Sequence, residues 1–168
     1  MQHRIHAILR IRRAALLCAS LLFAASPIVA QRAEIYPDPS VARAEIQKAL
    51  ATARAEHKRV ILDFGGNWCG DCQVLNIYFH DAVNRPILEK NFELVDVNIG
   101  RFDANKDIAA KYGIPLEKGV PALVVLSSSG KVLIAQTNGE FESMRRLQSS
   151  DLTEFLNKWK LGAAGKGR

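Results

Sequence analysis

The passage that most constrains this chain runs from Val60-Ile61-Leu62-Asp63-Phe64 through Gly65 and Gly66 into Trp68-Cys69-Gly70-Asp71-Cys72 and the apolar residues behind it. Apolar and β-branched residues at nearly every position read as a central strand, one buried on both faces in a sheet covered by helices. The two cysteines follow at what reads as the start of a helix, a setting that suits a redox dithiol. At this spacing they can close a small disulfide ring, provided their Cβ atoms come within roughly 3.8 Å. The unpaired N–H groups and positive end of a helix dipole favour a thiolate, so Cys69 is the expected nucleophile. Cys72, one turn later, is placed to resolve a mixed disulfide formed on Cys69.

Residues 1–30 bear Arg4, Arg10, Arg12 and Arg13 and no acid, then an apolar stretch ending in Ser26-Pro27-Ile28-Val29-Ala30. That order is the one expected of a secretory signal peptide, and the apolar part is short for a membrane span. Cleavage is expected after Ala30, with Ala25 and an uncleaved anchor as alternatives. The chain has 23 Lys and Arg against 17 Asp and Glu, a net +6; without the leader it stands at 19 against 17, or +2. No basic stripe with interleaved aromatics remains, so nucleic-acid binding loses its main argument. Cys18 leaves with the leader, and Cys69 and Cys72 have only each other as partners outside the reducing cytoplasm.

The remaining length suits one domain, with no repeat or interdomain linker. Residues 31–39 form a mixed lead-in, 40–161 the domain, and 162–168 a Gly-rich tail. Ser40 is expected to cap a helix running to about His57, with Val41, Ile46, Leu50 and Ala53 on a discontinuous apolar face. A strand over 60–64 precedes a helix that continues through Leu75, Tyr78 and Phe79, with Pro86 marking a break or restart. Phe92 to Ile99 reads as a second strand, and Asn105 as the cap of a short helix ended by Gly113 and Pro115. Gly119 to Leu126 and Lys131 to Gln136 read as an antiparallel pair around a turn at 127–130. Residues 139–149 are ambiguous. Asp151 followed by Glu154 fits the cap of a last helix with Leu152, Phe155, Leu156 and Trp159 on its inner face. Such an order predicts an α/β fold, a central mixed β-sheet flanked by helices.

The strand Leu62-Asp63-Phe64, the Trp68-Cys69-Gly70-Asp71-Cys72 motif and the Gly119-Val120-Pro121 element before a long apolar strand and hairpin together resemble the thioredoxin superfamily. The resemblance covers nearly all of residues 58–160. With its extra N-terminal helix, the chain is most similar to secreted bacterial thioredoxin-like proteins related to the C-terminal domain of the membrane-bound disulfide reductase. The resemblance implies a thioredoxin-like fold and assigns further roles. Pro121 matches the proline whose preceding peptide bond is cis and which sits beside the dithiol, while Val120 lends backbone groups to an extended substrate. Its alternative is a proline that simply starts a strand. Asp63 matches the buried acid that helps move a proton when Cys72 acts, and inward burial would raise its pKa. A structural pairing with Lys58 or Arg59 is the competing role. Trp68 matches the aromatic that shapes the substrate surface, against an ordinary core role.

Gly70 and Asp71 stand between the cysteines and tune the pair. Asp71 departs from the proline of thioredoxin itself, and its charge should oppose the thiolate that the helix start favours. Pro115 to Lys118 makes the connection before Gly119 longer than usual. The expected function is thiol–disulfide exchange, reducing protein disulfides in the periplasm, with no cofactor. Expected partners are protein thiols or disulfides and a membrane electron donor, the exported protein being a monomer with no stable membrane insertion. The alternatives are a protein disulfide oxidant and a Cu(I)-binding protein using the two thiolates. His57 and His80 lack zinc-site spacing, so no metal site is expected.

Overall fold

A computed structural model of the protein describes residues 34–162. The expected leader, the start of the lead-in and most of the Gly-rich tail lie outside the described residues. Five helices and four strands follow one another as α1 (Ala42–Ala55), β1 (Arg59–Gly65), α2 (Gly70–Phe79), α3 (Asn84–Asn91), β2 (Phe92–Asn98), α4 (Lys106–Lys111), β3 (Ala122–Leu126), β4 (Val132–Ala135) and α5 (Ser149–Trp159). The strands form one sheet in the order β2-β1-β3-β4. β2 runs parallel to β1, β3 antiparallel to it, and β4 antiparallel to β3.

β1 is the central strand its composition predicts. Alternate side chains divide the core into two layers. Val60, Leu62 and Phe64 face Ile46, Ala49, Leu50 and Ala53 of α1, together with Val95, Val97 and Ile108. Ile61 faces the opposite layer, where Leu75 and Phe79 of α2 and Leu152 and Leu156 of α5 pack with Leu123 and Val125 of β3. Each fully buried leucine adds roughly 1.5–3 kcal/mol of apolar burial. β1 therefore holds the Cys69 loop at its end between two anchored layers.

Several boundaries differ from the sequence reading for local reasons. Asp38, rather than Ser40, caps the first helical segment: its carboxylate accepts from the Ser40 backbone N–H in a 3-10 turn at Pro39–Val41 that leads into α1. Pro86 restarts the chain and sits in the first turn of α3, where a missing N–H costs nothing. Asn105 enters α4 with φ of 51° and makes no cap bond with its side chain, which donates instead to the carbonyls of Pro39 and Asn98. α5 begins earlier than Asp151: Gln148 is the cap and Asp151 completes a capping box from the third helical position. The ambiguous stretch contains a 3-10 turn, Met144–Arg146, and buries Phe141 and Met144 against α2 and α5.

Candidate active site

Gly66, Asn67 and Trp68 carry the chain from the end of β1 to the start of α2. Cys69 occupies the cap position with extended backbone, and its Sγ accepts the Cys72 N–H at 3.1 Å. A free N–H of the helix's first turn thus points at the sulfur, as a stabilised thiolate requires. Cys69 and Cys72 are joined as a disulfide with Cα atoms 5.2 Å apart. Cys72 is wholly buried, whereas Cys69 keeps the small exposed edge of the pair.

The element around Pro121 comes to the same place. The Val120–Pro121 peptide bond is cis, and the Val120 carbonyl oxygen lies 3.6 Å from Cys69 Sγ. Gly119 has φ of 99°, a conformation that an L side chain rarely adopts. A Cβ there would also press on Glu142. The longer connection before it forms a 3-10 turn, Leu116–Lys118.

Trp68 is 41 % exposed rather than core. Its indole N–H donates to the Gly100 carbonyl, and its ring meets Phe102 at a centroid distance of 5.4 Å. Phe102 is itself exposed, and the Arg101 guanidinium lies 6.0 Å from the Trp68 ring centre. An aromatic surface with a cationic rim thus borders the disulfide. Phe102 and Arg101 were not legible from the sequence, where the loop after β2 shows no periodic pattern.

Behind the disulfide, Asp63 is 1 % exposed and forms no hydrogen bond or ion pair with Lys58 or Arg59. Lys58 pairs with Glu56 and Glu93, while Arg59 donates to the Trp159 carbonyl. Asp63 Oδ2 accepts the Tyr36 hydroxyl at 2.7 Å, and Oδ1 is buried without a partner. Burial holds the Asp63 carboxyl well above the usual range, neighbouring Asp96 pushes it further, and the Tyr36 bond pulls it back. Asp96, opposite Asp63 in the parallel ladder, is pushed up to about 6 by burial, with His80 drawing it down.

Asp71, in the first turn of α2, has a partner that its position in the sequence conceals. Burial alone would raise its pKa, but hydrogen bonds and charge from Arg145 hold it below the usual carboxylate range. Gly70, one residue before, lies under the same guanidinium: a Cβ there would sit 3.7 Å from Arg145 Nη1.

A parallel pair flanked by an antiparallel hairpin, a disulfide at the first turn of the helix after the central strand, and a cis-proline against its outer sulfur define a thioredoxin-fold dithiol protein. The signature of the thioredoxin-like family matches residues 41–128, and the chain belongs to that family of disulfide oxidoreductases. Its sequence is 35 % identical to a disulphide isomerase from Xylella fastidiosa Temecula1, whose crystal structure superposes with a TM-score of 0.70 over 74 % of this chain and 95 % of that one. A thioredoxin from Thermus thermophilus shares the fold at 20 % identity and a TM-score of 0.53, covering 79 % of this chain and 91 % of its own. The thiol:disulfide interchange protein DsbD of Pseudomonas fluorescens is 25 % identical over 118 residues, 69 % of this chain, and the chain spans only 18 % of that protein's length.

Proposed function

We infer that the protein catalyses thiol–disulfide exchange on protein substrates in the periplasm, acting as a reductant through Cys69 and Cys72. The observation that carries this reading is the Cys69–Cys72 bridge across the first turn of α2, with Cys69 at the accessible edge beside Val120 and Pro121. In the reduced protein the Cys69 thiolate attacks a substrate disulfide, releasing one substrate thiolate and forming a mixed disulfide. Cys72 then loses its proton and attacks Cys69 Sγ, which expels the second substrate thiolate and leaves the protein disulfide. Asp63 is the buried base that takes the Cys72 proton. Val120 and Pro121 align the substrate backbone, Trp68 contacts its side chains, and Gly70 and Asp71 tune the pair.

Residues 1–30 serve as the export signal and 40–161 as the functional domain. A membrane electron donor returns the disulfide to the dithiol, in keeping with the likeness to DsbD. The reductive direction rests on the resemblance to membrane disulfide reductases. It is tested by the equilibrium reduction potential of the pair: a value near about −270 mV supports a reductant, and one near about −120 mV reverses the direction. The exchange reading itself is tested by insulin reduction in the wild-type and Cys69→Ser proteins. Loss of activity in the folded variant supports it, and an inactive wild type overturns it.

A further inference from the structure

We propose that Tyr36, supplied by the lead-in before α1, is a positioning residue that keeps Asp63 ready to accept the Cys72 proton. This rests on the exchange reading above and adds to it a residue lying outside the stretch, 41–128, that matches the family signature.

Three observations meet at this point. Tyr36 is completely buried, and its hydroxyl donates to Asp63 Oδ2 at 2.7 Å. Gly65 stands two residues beyond Asp63, on the same face of β1. A Cβ at Gly65 would collide with the Tyr36 hydroxyl and stand 2.8 Å from Cys72 Sγ. The missing side chain is therefore the space in which phenol and buried sulfur come together. The loop that presents Cys69 also fastens the lead-in. Asn67 accepts from the backbone N–H groups of Ile35 and Tyr36 at 2.9 Å each and returns a bond from Nδ2 to the Tyr36 carbonyl at 2.8 Å. Asn98 and Asn105 hold the carbonyls of Pro37 and Pro39. An apolar residue would fill the same core volume without needing to reach Asp63.

The groups around Asp63 fix the sign of the effect. From β2 it faces Asp96, which has His80 as its own titratable neighbour; from the lead-in it faces Tyr36, and from α2 Cys72 lies beside Gly65. Its ladder partner on β3 is the apolar Leu123. The Tyr36 hydrogen bond is the favourable contact with the ionised carboxylate. Burial, with Asp63 and Asp96 adding to it, raises the Tyr36 phenol well above its ordinary pKa, so it remains a donor throughout the working range. Donating to Oδ2 favours the ionised form against burial and Asp96 and leaves Oδ1 free of protein partners to receive the proton.

The test follows the two halves of one turnover. Reduced protein mixed with 5,5′-dithiobis(2-nitrobenzoate) releases a first thionitrobenzoate when Cys69 attacks and a second when Cys72 resolves the mixed disulfide. In Tyr36→Phe the second release slows about ten- to a hundredfold at pH 7, the loss of one hydrogen bond to a charged group. Its pH midpoint moves up, while the first release is unchanged. On an Asp63→Asn background the same substitution has no further effect. A second release with the wild-type midpoint, or both phases slowed together, overturns the proposal by showing that Tyr36 only packs. If Tyr36→Phe fails to fold, biosynthetic replacement with 3-fluorotyrosine decides, because its more acidic phenol is a stronger donor. Neither Tyr78 nor Tyr112 hydrogen-bonds Asp63. A midpoint displaced downward supports the proposal, and an unmoved one overturns it. A wild-type protein that releases no second thionitrobenzoate sinks the exchange reading and this proposal with it.

Discussion

Arg145 forks onto Asp71 across 74 residues of sequence: Nε lies 3.2 Å from Oδ1 and 3.1 Å from Oδ2, and Nη2 lies 2.9 Å from Oδ2. The Arg145 backbone N–H adds a fourth bond at 2.9 Å. Asp71 is thus a neutralised partner in the turn beside Cys69 and not a bare charge working against the thiolate. The pair also ties the segment after β4 to the start of α2, so the charge balance of the dithiol depends on a loop distant in sequence.

Replacing Arg145 by Met leaves the Asp71 charge uncompensated next to Cys69 and raises the thiol pKa. Because the arginine side chain is 69 % exposed, solvent screens much of the field. Alkylation of the reduced protein by iodoacetamide at pH 6.5 is expected to slow about two- to fivefold, and Asp71→Asn to accelerate it by a similar factor. The Arg145→Met difference shrinks in about 0.5 M salt. A pH profile of Arg145→Met that superposes on the wild type refutes the compensation.

Asp63 makes stability depend on pH in a definite direction. Its folded pKa is raised by burial and by Asp96, so the folded state holds the proton more tightly than the unfolded chain. Stability is full below the unfolded carboxylate value and is lost as pH rises through the folded one. Asp63→Asn removes the loss while still accepting from Tyr36. The oxidised variant should exceed the wild type in stability at pH 8 by about 1.4 kcal/mol for each unit separating the two pKa values, and match it near pH 3. Asp96→Asn acts in the same sense, its window closing near pH 6. Urea unfolding at the two pH values measures the gap; an equal difference at both rules out the buried charge as its cause.

The features legible in the sequence are those set by short-range pattern. The apolar run at β1, the cysteines at a helix start and the hairpin of β3 and β4 each announce themselves within a few residues. Pro121 beside Cys69 was legible only through resemblance, because Val120, the residue before it, lies 51 positions from Cys69 in the chain. Tyr36 and Arg145 escaped notice for a physical reason: each acts on a single partner, Asp63 or Asp71, far away in the sequence. The lead-in 35–39 is held by the side chains of three asparagines distant in sequence, Asn67, Asn98 and Asn105, and no propensity encodes such contacts. Asp63 read correctly as inward-facing, but its partner came from outside its own strand.

Asn84 joins three helices that the sequence reading left unconnected. It is fully buried at the start of α3, where Nδ2 donates to the Tyr78 carbonyl at 3.0 Å and to Ser149 Oγ at 2.9 Å. Its Oδ1 accepts from Thr153 Oγ1 at 2.6 Å. Alanine here removes the bonds to Tyr78, Ser149 and Thr153 together and leaves a polar void, costing about 1–3 kcal/mol. Urea unfolding should show a lower midpoint with an unchanged slope. A loss below about 0.5 kcal/mol, the range of an ordinary surface change, removes Asn84 as the joint between α2, α3 and α5.

Under the proposed function, a change at Trp68 distinguishes substrate recognition from sulfur chemistry. Its indole N–H is anchored to Gly100 and its ring rests on Phe102, so a large, partly exposed apolar face is fixed next to Cys69 in the chain. A rigid aromatic of this kind contributes to binding an extended chain more than to the reactivity of the neighbouring thiol. Trp68→Ala should therefore raise KM for a protein disulfide such as insulin about three- to tenfold, equivalent to the loss of one aromatic contact, with kcat little changed. Reaction of the same variant with 5,5′-dithiobis(2-nitrobenzoate), too small to span the aromatic surface, should stay within about twofold of wild type. Equal losses on both substrates would move Trp68 from the substrate surface into the support of the dithiol itself, because only a change in Cys69 reactivity reaches a small disulfide and a protein one alike.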